Sequence, residues 1–176
     1  MASSNTHSLD LEEASTQFAY VADSASLSLT GNFTTEAWIK IESFDTDGSA
    51  ICVGKWDFTG NKRCYRAEVL ADRIRINISS DGAGATTKDV LTTINTATWY
   101  HIAWVYTASS GGFEAYKDGV SVGTATGLPT SVFDGNNETM VGAEGTSASP
   151  YTGDMFDGLI DEIRIWNVVR NSTQIG

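Results

Sequence analysis

Ile74, Ile76 and Ile78 alternate with Arg73, Arg75, Asn77 and Ser79, and no other feature of the chain narrows its fold so much. Successive side chains of a β-strand leave opposite faces, so this segment has one apolar and one polar side. The same period recurs in Phe33 to Ile41, where Phe33, Thr35, Ala37, Ile39 and Ile41 oppose Thr34, Glu36, Trp38 and Lys40. Trp99 to Tyr106 is apolar or aromatic on both sides, as in a central strand. Asp118-Gly119 readily takes the positive φ angles of a type I′ turn, which makes Phe113 to Tyr116 and Val120 to Val122 a hairpin. Helical periodicity is hard to find, and short strands separated by Gly, Asn, Asp and Ser clusters predict an all-β, two-sheet antiparallel sandwich.

The chain has 176 residues, of which 41% are hydrophobic and 19% charged, enough apolar material for one two-layer core. Only Pro129 and Pro150 interrupt it, and no linker or repeat divides it. Residues 1–7 read as a leader outside the fold and 8–176 as a single domain. The formal charge of -11 repels phosphate backbones and anionic membrane surfaces, so nucleic acid is disfavoured as a partner. That surplus suits divalent cations and neutral, hydroxyl-rich ligands, and it equally suits solubility. No stretch approaches the roughly 18 consecutive apolar residues of a membrane span, so no membrane insertion is expected. Met1 to Leu11 lacks the charged start and apolar run of a signal peptide. Cys52 and Cys64 flank a turn-like segment, compatible with a cross-strand disulfide or with two buried thiols.

Four ordered stretches carry a family resemblance. They are Leu9 to Leu11 with Phe18 to Leu27; Phe33 to Lys40; Trp99 to Tyr106 followed by Tyr116 to Gly119; and Phe156 to Asn167 with the terminal turn at Ser172 to Ile175. Together they resemble laminin-G-like domains of the concanavalin A-like lectin/glucanase group. The resemblance implies a jelly-roll sandwich and a lectin-type binding role.

The related glucanases make catalysis a question for the residues. A retaining glycosidase needs two carboxylates roughly 5 Å apart, which on a strand means even spacing on one face as in the Glu-x-Asp-x-x-Glu pattern of such enzymes, and that pattern does not occur here. Adjacent Asp161 and Glu162 point to opposite sides of a strand. His7 and His101 are the only histidines, and no zinc spacing, phosphate loop or dinucleotide fingerprint appears. The chain therefore reads as non-enzymatic.

By alternation Asp161 shares a face with Leu159, Ile163 and Ile165, which makes it a core-facing carboxylate in need of a partner. That partner is either backbone N–H groups or a cation. Calcium, which prefers several oxygen ligands, is the cofactor the resemblance implies near the last strand, with Glu12 and Asp10 as further ligands. A sugar site needs an apolar platform and nearby amides or carboxylates. Trp56 and Phe58 with Asp57, the Asn136-Asn137 turn, and Tyr151 are the candidates, all assigned to polar loops. Trp56 and Tyr151 serve equally well as loop anchors.

The expected function is a non-catalytic carbohydrate-binding or adhesion module, with a glycan or glycoprotein as partner, on an extracellular, cell or virion surface. The alternatives are a structural spacer, virion decoration or assembly domain without a small ligand, and an atypical glycan hydrolase or lyase should acidic pairs meet from different strands.

Overall fold

The computed structural model describes residues 7–44, 48–146, 148–151 and 154–175. Most of the leader, the centre of the Asp45 to Ser49 loop and Thr152 lie outside them.

Two six-stranded antiparallel sheets pack face to face. The first contains, in spatial order, β1 (Leu9–Leu11), β14 (Asp157–Trp166), β3 (Phe33–Ser43), β8 (Tyr100–Thr107), β9 (Gly112–Lys117) and β10 (Val120–Ala125). The second contains β2 (Ala19–Val21), β11 (Thr139–Val141), β4 (Ser49–Asp57), β5 (Lys62–Leu70), β6 (Arg73–Ile78) and β7 (Thr86–Leu91). A separate hairpin, β12 (Glu144–Thr146) and β13 (Ser149–Tyr151), leads into β14. No helix among the described residues is long and apolar enough to cross a membrane.

Alternation decides which residues meet between the sheets. Phe33, Ala37, Ile39 and Ile41 of β3 and Ile102, Trp104 and Tyr106 of β8 share one core with Tyr65, Ala67 and Val69 of β5 and Ile74, Ile76 and Ile78 of β6. Rings interlock there: Phe33 lies 5.1 Å from Tyr65 and 5.2 Å from Tyr106 between centroids. The buried Trp104 indole donates to the Glu68 carbonyl across the core at 3.2 Å, which satisfies a donor that burial would otherwise orphan. The reverse side of β8 is covered too, because Ile175 packs on Ala103, Val105 and Tyr116. The Asp118-Gly119 turn has positive φ at both residues, 53° and 77°, as type I′ requires.

The last strand departs from simple alternation. Gly158 sits at φ 136°, and a Cβ there would lie 2.2 Å from the Lys40 carbonyl oxygen, so only glycine lets β14 run this close to β3. Ile160, opposite Ile39, is the buried residue. Asp161 stands opposite Trp38 on the outer face, and one extra residue in β14 follows before Arg164 meets Glu36. Glu162 takes φ 49° at this bulge and donates its N–H to the Asp161 carboxylate at 2.7 Å. The bulge reverses the parity, and Ile163 and Ile165 then turn toward the core. The core-facing Asp161 that alternation predicts is thus corrected to a half-buried carboxylate on the outer face that accepts from the bulge backbone.

Both cysteines are free and buried. Cys64 lies beside the Lys55–Tyr65 and Trp56–Arg63 pairs, three or four positions along β4 from Cys52. At about 3.3 Å per residue that exceeds the ~7 Å Cα limit for a bridge.

Candidate functional site on the outer face of the second sheet

Arg66 and Glu68 of β5 point away from the core, because Tyr65, Ala67 and Val69 point into it. A bulge between Lys55 and Trp56 brings Trp56 opposite Arg63. On this side the Arg66 guanidinium lies 5.5 Å from the Trp56 ring centroid. Trp56 meets Phe58 edge to face at 6.3 Å and 85°, and Arg63 lies 4.6 Å over Phe58. Cation–π and edge-to-face contacts thus form one ladder, Arg66–Trp56–Phe58–Arg63. Its inner rung Trp56 is 3% exposed and its outer ring Phe58 45%.

Arg66 is also the centre of an ionic network. Its Nη1 meets Glu144 Oε2 of β12 and lies 3.6 Å from Asp154 Oδ2, and its Nη2 is 3.1 Å from Glu68 Oε2. Glu68 accepts from the Asn77 amide at 2.9 Å and lies 3.6 Å from Arg75 Nε. Asp89 of β7 joins Arg75 at 2.6 Å and Arg73 at 2.9 Å. Charged groups therefore link β7 through β6 and β5 to the β12–β13 hairpin.

Burial pushes the Glu144 carboxyl up to about 7; Arg66 pulls it down, and Asp154 and Glu68 push it further up. Burial raises Glu68 as well, against the pull of Arg66 and Asn77. For Asp89 the hydrogen bonds from Arg75 and Arg73 outweigh desolvation, and it is lowered.

Here carboxylates do meet from different strands, the condition under which hydrolysis stays open. Their geometry is that of an ion-pair cluster. Glu68 and Glu144 converge on one guanidinium and are at most 1% exposed, whereas glycoside cleavage needs an acid that reaches the glycosidic oxygen.

The sequence-predicted ligand residues divide. Trp56 and Asp57 belong to β4, not to a loop, and Tyr151 belongs to β13, paired with Glu144. Trp56, Phe58 and the Tyr151 backbone are associated through Arg66 and Glu144. The Asp57 carboxylate is buried and accepts from the Thr59 N–H at 2.8 Å, as turn residues do. Asn137 is turned inward beside Cys64, while Asn136 remains exposed. Arg66, Glu68 and Glu144 were not among the predicted residues. The signal for the first two was present in the alternation of Tyr65 to Val69, but nothing local marks Glu144.

The predicted calcium ligands do not fit a calcium site. Asp161 caps its own bulge. Asp10 and Glu12 are exposed at the β1 edge, where partial desolvation and then the charges of Asp157, Asp10 and Glu42 raise the Glu12 carboxyl. Among the described residues no three Asp, Glu, His or Cys side chains converge as metal ligands.

Several solved structures share this architecture. The carbohydrate-binding module CBM40 of the Ruminococcus gnavus IT-sialidase, solved with α2,3 sialyllactose, superposes with a TM-score of 0.72 at 10% identity, over 97% of this chain and 95% of that one. The heptameric SAP-like pentraxin of Limulus polyphemus gives 0.65 at 11% identity, over 90% and 78%. The binding domain of Paraclostridial Mosquitocidal Protein 1 gives 0.70 at 13% identity, over 96% and 42%. A search of curated proteins by sequence finds no match. Residues 13–176 match the laminin-G profile of the concanavalin A-like lectin/glucanases superfamily, and the chain belongs to that family.

Proposed function

We propose that this domain is a non-catalytic carbohydrate-binding module, carried by a secreted or surface protein, whose glycan lies on the Arg66–Trp56–Phe58–Arg63 ladder. The observation that carries the reading is the ladder itself. An exposed ring, backed edge-on by a buried indole and covered on one face by the Arg63 guanidinium, offers its other face as an apolar platform to the CH face of a sugar, with a hydrogen-bond donor beside it. Membership in the concanavalin A-like lectin/glucanases superfamily and the likeness of the fold to a carbohydrate-binding module support it.

A glycan array followed by calorimetry on the best ligand tests the proposal. Phe58→Ala, at an exposed position, is expected to weaken binding at least tenfold while leaving the unfolding temperature nearly unchanged. Unchanged affinity for every array ligand would remove the ladder from consideration. Turnover of a polysaccharide by the isolated domain would restore the hydrolase reading that the meeting of Glu68, Glu144 and Asp154 keeps in view.

A further inference from the structure

Lys55 is a charged residue buried at one end of the second sheet, its side chain only 1% exposed. It stands opposite Tyr65, whose ring belongs to the core. Its ammonium lies 2.6 Å from Asp23 Oδ1, in the connection between β2 and β3, and 3.9 Å from Asp134 Oδ1, in the connection between β10 and β11. The neighbouring side chains are Cys64, whose thiol feels the charges of Lys55, Asp134 and Asp23, and Tyr65. Two connections remote in sequence thus converge on one buried positive charge supplied by β4. An unpaired buried ammonium is strongly disfavoured, and the two carboxylates that reach it come from the exposed side, Asp23 at 38% and Asp134 at 55% exposure, so without Lys55 they lose their shared counter-charge.

Joining loop carboxylates at the end of a β-sandwich is work that a bound divalent cation also does. Among the described residues, the acidic side chains at the β1 edge and on β14 do not assemble such a site, whereas Asp23 and Asp134 come together around an amine. We infer that the Lys55 ammonium is the built-in cation of this end of the domain, and that the Asp23 and Asp134 connections are held together without a metal ion. Lys55 takes the place of a metal here and excludes one from it.

Thermal unfolding in EDTA and in millimolar calcium, together with terbium luminescence sensitised by tryptophan, tests this in the wild-type chain and in two variants. The wild type is expected to unfold at the same temperature in both solutions and to show no terbium signal that Asp23→Asn abolishes. Lys55→Ser removes the ammonium but leaves the oxygens. It is expected to lose stability in EDTA, to regain part of it in calcium, and to give a terbium signal that a second change, Asp23→Asn, abolishes. A calcium response in the wild type that disappears with Asp23→Asn overturns the inference. So does a Lys55→Ser chain, folded or unfolded, that responds to neither metal. A wild-type calcium response that survives Asp23→Asn places a metal elsewhere and supports a metal-free Lys55 end.

Discussion

The guanidinium of Arg66 on β5 and the carboxylate of Glu144 on β12 meet beneath the β12–β13 hairpin, and this contact joins the hairpin to the outer face of the second sheet. Glu144 is nearly inaccessible and its Oε1 has no hydrogen-bond partner among the described residues. Both circumstances favour the protonated acid.

The pH dependence follows from that. Glu144 titrates at about 7 in the folded chain and near its ordinary 4.5 when unfolded, so the folded state holds the proton more tightly. Its contribution is fully present below pH 4.5 and is lost as pH rises through about 7, amounting to at most about 3 kcal/mol. Urea unfolding at pH 5 and pH 8 is expected to show Glu144→Gln losing less stability than the wild type between the two. Equal losses would mean that Glu144 titrates normally.

Trp56 and Phe58 touch each other but should differ strongly in the cost of truncation. Trp56→Ala removes a buried indole and its contact with Arg66, at a cost of about 3–5 kcal/mol. Phe58→Ala removes a half-exposed ring and is expected to cost about 1 kcal/mol or less. Denaturant midpoints for the two variants check this, and they also show why Phe58 is the cleaner probe of ligand binding.

Gly158→Ala is expected to destabilise by at least about 2 kcal/mol, because it combines an unfavourable φ with overlap against the Lys40 carbonyl. Calorimetric unfolding of the variant reads this directly. A change below about 0.5 kcal/mol, the scale of an ordinary surface substitution, would show that β14 can move away from β3 there.

Burial pushes both thiols up, Cys52 most of all. A disulfide-exchange reagent at neutral pH is expected to modify neither cysteine in the folded chain and both in denaturant, with the same unfolding temperature under oxidising and reducing conditions. Protection of one cysteine by the other after oxidation would contradict the register of β4 and β5.

Much of the fold was legible in local pattern. The isoleucines of β6, the two apolar sides of β8 and the Asp118-Gly119 turn stand where alternation and turn chemistry place them, since each depends on a few consecutive residues. Loop assignments were less secure. The polar run around Asp57 conceals a strand continuing through Trp56 and Asp57, held by its pairing with β5. The small, polar run read as a loop from Glu144 to Thr152 instead contributes Glu144–Thr146 and Ser149–Tyr151 as the paired strands β12 and β13.

The site depended on more distant partners. One extra residue after Asp161 moved Ile163 and Ile165 to the opposite parity and left the carboxylate outside, because the side-chain period of two makes every residue beyond a bulge change face. Arg66 and Glu144 are 78 positions apart, and Lys55 meets Asp134 from another connection altogether. The chain by itself determined a two-sheet β-sandwich, because alternation between water and core is a property of neighbouring residues. Tertiary structure alone decided which charges meet, because that depends on strand register and on what covers each face.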